Sequence, residues 1–250
     1  MPMKTLEEQF GKPVLFHWVG WYGKDGYPTK TGYDSRDPNV INNQLEAMLE
    51  FGGEHSGVVA LTYGLTSDFI LQSVMAIANQ TCVKNMPFCL CMDPWAVKKY
   101  ADKNARMIAT LDDPQYQLIL NMKNYIKRTD GKKWVLDFST GVSKVAIETE
   151  FNDITYMMNG PDFDWIRFPQ TPNKTTLPCT YVEFFDGTGK DHNVSISDPT
   201  QPCRIVNANA GSTFWGNDVK AGQYFQFVTW NDVTESTSIE QFASVVSSKI

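Results

Sequence analysis

The sequence predicts an α/β protein built as a (β/α)8, TIM-like barrel whose later helices are short or irregular. Three observations carry that expectation. Through the first half of the chain, β-branched and aromatic runs alternate with amphipathic stretches, the pattern of parallel strands joined by helical crossovers. Eight candidate strands begin near residues 14, 57, 88, 134, 164, 181, 204 and 225. The length of 250 residues is that of one barrel, and no internal repeat, low-complexity tract or linker divides it. Residues 1–250 are therefore read as a single domain.

The first strand is PVLFHWVG (13–20), followed by a loop rich in Gly, Tyr and Pro. The next helix starts at Asp37–Pro38, a capping side chain followed by a proline in the first turn, and stops at Gly52–Gly53. Ile41, Leu45, Met48 and Leu49 give it one apolar stripe. SGVVALTYG (56–64) is the second strand, and Ser67–Asp68 opens the helix FILQSVMAIANQTCVKN. PFCLCMD (87–93) is the third strand, and DDPQYQLILNMKNYIKRT (112–129) is a helix with Asp-Asp-Pro at its start. KWVLDFST (133–140) is the fourth, with a short helical piece near 143–149 behind it. FDWIRF (163–168), TYVEFF (180–185), CRIVNANA (203–210) and YFQFVTW (224–230) complete the eight. Between 150 and 224 no long amphipathic helix is evident, and FFDGTGKDHNVSIS (184–197) reads as a hairpin around Asp186–Gly187. The chain closes with an apparent helix, SIEQFASVVSSKI (238–250).

Composition excludes some functions. A net charge of −6 and a pI near 5.1 argue against a nucleic-acid surface, which is normally basic. The densest basic run, GKKWV (131–135), is short. The five cysteines, Cys82, Cys89, Cys91, Cys179 and Cys203, are odd in number and fit no zinc spacing. Cys89 and Cys91 alternate on one face of the third strand and read as small buried residues. The acidic, polar start MPMKTLEEQF is not a secretory leader, and no apolar run approaches the ~18 residues of a membrane span. Sequons at Asn79, Asn173 and Asn193 carry little weight without an export signal. The expectation is a soluble chain made in a cytoplasm; a virion component or a protein exported by another route would read the same. The aromatic share of 13% suits either a ring-rich core or a cleft walled with flat faces for sugars.

In barrels of this class the working face is the C-terminal end of the strands. Strand one presents His17, Trp18, Trp21 and Tyr22 there, with Tyr33 and Asp34 in the following loop. Strand two ends in Tyr63, strand three in Asp93 and Trp95, and strand four in Asp137. Strand six offers Glu183 and Asp186, and strand seven Asn207 and Asn209. Strand eight ends in Trp230, Asn231, Asp232 and Glu235. Plainer roles compete with several of these. Asp93–Pro94 can simply start a turn, Asp137 can be a buried hydrogen-bonded carboxylate, and His17 can be a core histidine. His55 and His192 read as loop residues, and GTGKD (187–191) lacks the glycine spacing and the Ser/Thr of a phosphate loop.

Asp232 and Glu235 are harder to explain as helix caps. One would suffice, and Ser236 or Ser238 could already serve. Two acids beside Trp230 and Asn231 at a strand's C-terminal end match the needs of glycoside hydrolysis. One carboxyl protonates the leaving oxygen while the other supports attack at the anomeric carbon. Unequal desolvation by nearby rings and amides can set their pKa values apart.

VTWNDVTES (228–236) resembles the TWNDYGES segment that closes the barrel of the fungal α-1,3-glucanases, glycoside hydrolase family 71. It also resembles the NEWHEGT-IE segment of glycoside hydrolase family 99, the endo-α-mannosidases and mannanases. At the other end of the chain, WVGWYG (18–23) and YDSRDPNVINNQLEAMLEFGGEHSGVVALTYG (33–64) are similar to the opening of family 99-like barrels. The matching positions are Trp21, Tyr22, Gly23, Tyr33, Asp34, Ser35, Asp37 and Pro38. GGEHSGVV stands where the family has GIDGF, and VTES lacks the aromatic residue and the glycine between the acids.

The resemblance implies an enzyme that cleaves an α-linked polysaccharide or oligosaccharide. Glu235 would be the general acid, and Asp232 would assist an attacking water or a neighbouring hydroxyl. The aromatic residues of the first loop would form the sugar platform. His17, Trp18, Trp21, Tyr22, Tyr33, Asp34, Tyr63, Asp93, Trp95, Asp137, Trp230 and Asn231 are the candidate substrate-binding residues. The partner is a glycan, not nucleic acid or membrane, and no metal or organic cofactor is implied. A rival expectation is a glycan-binding or structural barrel, of a surface or a virion, that keeps the fold without catalysis.

Overall fold

The computed structural model describes residues 5–23, 33–159, 162, 179–181, 224–228 and 230–231. The chain divides into two compact units. One comprises Met1–Val19, Asn43–Gly57 and Asp162–Ile250, and the other Gly20–Asn42 and Val58–Pro161.

In the first unit a short helix α1 (Leu6–Phe10) precedes strand β1 (Val14–Val19). A reciprocal cap starts α1: the Thr5 hydroxyl accepts from the Glu8 amide, and the Glu8 carboxylate accepts from the Thr5 amide. All six β1 residues are buried, so apart from His17 the strand reads as a continuous apolar run instead of an alternating one. Strand β7 (Phe225–Val228) pairs in parallel with β1, Val14 opposite Phe225 and Phe16 opposite Phe227. Strand β6 (Cys179–Tyr181) pairs in parallel with the other side of β7.

Helix α2 (Pro38–Gly52) forms where the sequence places it. The Asp37 carboxylate accepts from the Asn39 amide, with Pro38 at the first helical position.

The second unit carries four parallel strands in the order β5-β4-β3-β2. They are β2 (Gly57–Thr62), β3 (Phe88–Met92), β4 (Lys133–Asp137) and β5 (Ile154–Met158). Helix α3 (Asp68–Lys84) connects β2 to β3, α4 (Lys103–Asp112) and α5 (Pro114–Leu120) connect β3 to β4, and α6 (Lys144–Glu150) connects β4 to β5. Ser67, Asp102, Asp113 and Ser143 cap the four helices with their side-chain oxygens. Cys89 and Cys91 are buried free thiols of β3, and burial pushes both thiols up. Among the described residues no helix is long and apolar enough to cross a membrane.

Helices α1 and α4 form where the sequence predicts none, and two further stretches differ from the sequence expectation. The helix expected over 112–129 is two structures. Asp113 is held extended by Pro114 (ψ 135°), which ends α4 and starts α5. Beyond Leu120 the chain turns and runs beside β3, where the Tyr125 hydroxyl donates to the Trp134 carbonyl and accepts from the Leu90 amide. Those bonds satisfy a phenol that a continued helix would have to leave elsewhere. The fifth strand is Ile154–Met158, in a stretch where none was expected, paired to β4 with Lys133 opposite Ile154. The expected strands at 163–168 and 203–210, the hairpin at 184–197 and the terminal helix at 238–250 lie outside the described residues.

Candidate active site

The C-terminal ends of the second unit's strands lie level. Thr62 stands opposite Met92, Met92 opposite Asp137, and Asp137 opposite Met158. The ladder continues one step further, with Asp93 donating its amide to the Thr62 carbonyl and Phe138 its amide to Met92. Tyr63, Asp93 and Phe138 therefore emerge together at one edge, where parallel α/β sheets place ligands.

A row of aromatic rings runs along this unit. Tyr33 meets Tyr22 edge-on at 5.9 Å between centroids, and Tyr22 meets Trp21 at 6.3 Å. Trp21 lies 6.1 Å from Tyr63, and Tyr63 lies 6.4 Å from Trp95. The first loop is pinned for this purpose. The Ser35 amide donates to the Tyr22 carbonyl at 2.7 Å, and the Tyr22 amide donates to the Ser35 hydroxyl at 3.2 Å. Gly23 has no room for a side chain, since a Cβ there would sit 2.7 Å from the Phe69 ring. Trp21, Tyr33 and Tyr63 are half-buried and Trp95 is 44% exposed, while Tyr22 is buried. Trp21, Tyr63 and Trp95 thus combine a fixed ring with an accessible face.

Asp34 faces its own loop. Arg36 grips it through two nitrogens, at 2.9 and 2.6 Å, and this holds its carboxyl below the usual range. The same guanidinium lies over the Phe69 ring at 4.4 Å.

Among the described residues, Asp93 and Asp137 are the unit's two buried strand-end acids. Asp93 is 8% exposed, and burial raises its pKa from 3.8 to about 6, against the Trp95 amide and the Lys98 charge that pull it down. Its Oδ1 accepts from the Trp95 amide at 2.8 Å, capping the turn Pro94–Ala96. Asp93 also lines an open cleft of about 360 Å³ together with Trp95, Lys98, Lys103, Ser139 and Thr140.

Asp137 is bonded to Thr140, a residue of that cleft's lining. Its two oxygens accept from the Thr140 amide at 2.7 Å and the Thr140 hydroxyl at 2.8 Å. Burial raises its pKa; Thr140 is the main opposing influence, and the Tyr156 hydroxyl lies close enough to oppose it too while standing outside hydrogen-bond geometry. Asp137 is thus a positioning group for the loop at Ser139–Gly141.

Four other candidates belong to the first unit and are fully buried: His17, Trp18, Trp230 and Asn231. The His17 Nε2 pairs with the Gln226 side-chain oxygen, and burial drives the imidazole pKa down to about 3, so it stays neutral. Trp18 donates its indole N–H to Gln44 at 2.9 Å. Trp230 packs edge-on against Phe16 at 5.2 Å, and its amide donates to the His17 carbonyl. Asn231 uses its side chain as a further rung of the β1 ladder, accepting from the Val19 amide and donating to the Val19 carbonyl, both at 2.9 Å. These four side chains are enclosed by protein; a wholly buried ring has no face to offer a sugar.

Asp232 and Glu235, with Glu183, Asp186, Asn207 and Asn209, lie outside the described residues. Among the described residues no group of three His, Cys, Asp or Glu side chains could hold a metal ion.

Sequence reasoning passed over Lys98, Lys103, Ser139 and Thr140. The available signal was position: WAVKKYADK begins three residues beyond the end of β3, after Asp93–Pro94, and STG directly follows Phe138, the first residue beyond β4.

No family model matches the chain, and no curated protein does. Among solved structures it is similar to the GH99 endo-α-mannosidase from Bacteroides thetaiotaomicron. The complex of that enzyme with bis-tris propane gives a TM-score of 0.61 at 14% identity, covering 91% of this chain and 86% of that one. A second structure of the enzyme gives 0.58 at 15% identity, covering 91% and 87%. The likeness carries a GH99-like fold. It does not extend to the α-1,3-glucanase half of the resemblance or to membership of one family.

Proposed function

We propose that the chain is a glycoside hydrolase acting on an α-linked polysaccharide or oligosaccharide, built as a single (β/α)8 barrel domain. The observation that carries the reading is the aromatic row Trp21–Tyr63–Trp95, with the buried carboxyl of Asp93 beside its last ring. Rings held at fixed separations with accessible faces suit successive sugars, which stack their apolar faces on aromatic planes and leave their hydroxyls to polar neighbours. The GH99-like fold and the resemblance at both ends of the chain support the same reading.

In this account Glu235 is the general acid. It gives its proton to the glycosidic oxygen as the bond from that oxygen to the anomeric carbon breaks. Asp232, ionised, accepts a proton from the attacking water or neighbouring hydroxyl and so supports formation of the new bond. The Trp21, Tyr63 and Trp95 rings hold the glycan, and Asp93 supplies a hydrogen-bonding carboxyl whose charge changes near pH 6.

Incubation with a panel of α-glucans and α-mannans, followed by assay of new reducing ends, tests the reading. Release from one class is the expected result. Tight binding without release at high protein concentration would replace the hydrolase with a glycan-binding protein.

A further inference from the structure

The cleft beside Trp95 differs in charge from the rest of the chain. The protein carries a net charge of −6, yet Lys98 and Lys103 line this cleft with Asp93 as its acidic member. Two lysines thus line the cleft against one carboxyl, and the next acid, Asp137, is engaged by Thr140.

Both lysines are placed. Lys98 lies over the Trp95 ring with its ammonium 4.1 Å from the centroid. The Lys103 ammonium donates to the Thr140 carbonyl at 3.0 Å. The loop it meets is shaped for it: Thr140 is fixed by Asp137, Ser139 adopts a left-handed φ of 63°, and Gly141 a φ of 76°. A Cβ on Gly141 would stand 3.2 Å from the Lys103 nitrogen, close enough to push it aside. A left-handed backbone at a non-glycine residue persists only where its surroundings hold it. Among the described residues the two ammonium groups contact a ring and a backbone carbonyl, and neither makes an ion pair at contact distance.

We propose that this cleft binds an anionic saccharide, a sugar bearing a carboxylate or a sulfate ester, with Trp95 stacking the ring and Lys98 and Lys103 meeting its charge. The inference rests on the glycan reading above and names the substrate class within it. A charge-assisted hydrogen bond is stronger than a cation–π contact at an exposed site, so Lys98 moves from the indole to the anion and uncovers the ring. Each of Lys98 and Lys103 keeps donor positions for the ligand, because an ammonium has three. A neutral sugar would have to share the ring with Lys98 and could accept only an ordinary hydrogen bond from Lys103, without the charge pairing.

Two matched pairs of probes test the proposal: polygalacturonate against its methyl ester, and chemically sulfated α-mannan against untreated α-mannan. Affinities are measured by titration calorimetry for the wild-type chain, for Lys98→Gln/Lys103→Gln, and for the charge-preserving Lys98→Arg/Lys103→Arg. In at least one pair the charged member is expected to bind roughly tenfold more tightly, the scale of one charge-assisted hydrogen bond. The preference should fade with added salt, vanish in the Gln variant and return in the Arg variant. Equal affinity within both pairs would overturn the anion preference and leave the glycan reading standing. A preference that survives in the Gln variant would overturn the assignment to this cleft. Equally tight binding of polyphosphate, which carries no sugar, would reduce the cleft to a general anion site. Failure of all four glycans to bind would overturn the proposal and leave the glycan reading to the panel of α-glucans and α-mannans.

Discussion

Replacing Asp93 by Asn separates the carboxyl's charge from its shape. Asp93 is 8% exposed and is held near pKa 6 chiefly by desolvation. In the unfolded chain the same group titrates near 3.8. Between those values the native state binds a proton that the unfolded state has released, so stability falls as pH rises through the window. At 1.36 kcal/mol for each pH unit, the gap from 3.8 to about 6 gives a ceiling of about 3 kcal/mol. Asn retains the oxygen that accepts from the Trp95 amide and does not titrate. The variant should therefore match the wild type up to a constant below about pH 4 and gain on it by up to ~3 kcal/mol above about pH 7. Urea denaturation across that range measures the difference, and the other titrating groups, Asp137 included, are common to both chains. Wild-type and variant stabilities that run parallel in pH would refute the argument. They would mean that the native Asp93 titrates as it does in the unfolded chain.

Trp21→Ala and Trp95→Ala should each weaken glycan binding, read by calorimetry, with little change in melting temperature. Trp18→Ala should instead cost about 3–5 kcal/mol of stability, because its ring is wholly buried and its N–H is paired to Gln44. Asn231→Ala leaves the Val19 amide and carbonyl without their side-chain partner, a loss of about 1–3 kcal/mol that thermal unfolding would register.

The first half of the fold was legible because local signals agreed. Asp37–Pro38 and Ser67–Asp68 start helices as expected, and the apolar runs of β1 to β4 are buried strands. The 112–129 stretch was misread because its apolar spacing continues through Tyr125 and Ile126, both buried. Their burial serves an extended segment beside β3, a tertiary arrangement that helical periodicity does not encode. ITYMM was missed although Ile154, Thr155 and Tyr156 all favour strands; the run is only five residues long and has no flanking helix start to mark it.

At the candidate site, Trp21, Tyr22, Tyr33, Tyr63 and Trp95 could be gathered from strand ends alone, since each lies within three residues of a strand's end or belongs to the first loop. Burial could not be read in the same way. His17 and Trp18 have the chemistry of ligand contacts, yet Gln226 and Gln44 bond to them inside the protein. Those partners are remote in sequence, and no local spacing announces them.

The central claim is that Glu235 and Asp232 carry out hydrolysis, and Glu235→Gln tests it most directly. Gln keeps the shape of the side chain but has no carboxyl proton to donate. On whichever α-linked glycan the wild type cleaves, the account predicts that release of reducing ends falls by roughly 10²-fold or more, with the melting temperature nearly unchanged. Asp232→Asn should act in the same direction, and the double variant should lose much less than the product of the two. Full activity in Glu235→Gln would contradict the account and leave the resemblance as one of fold.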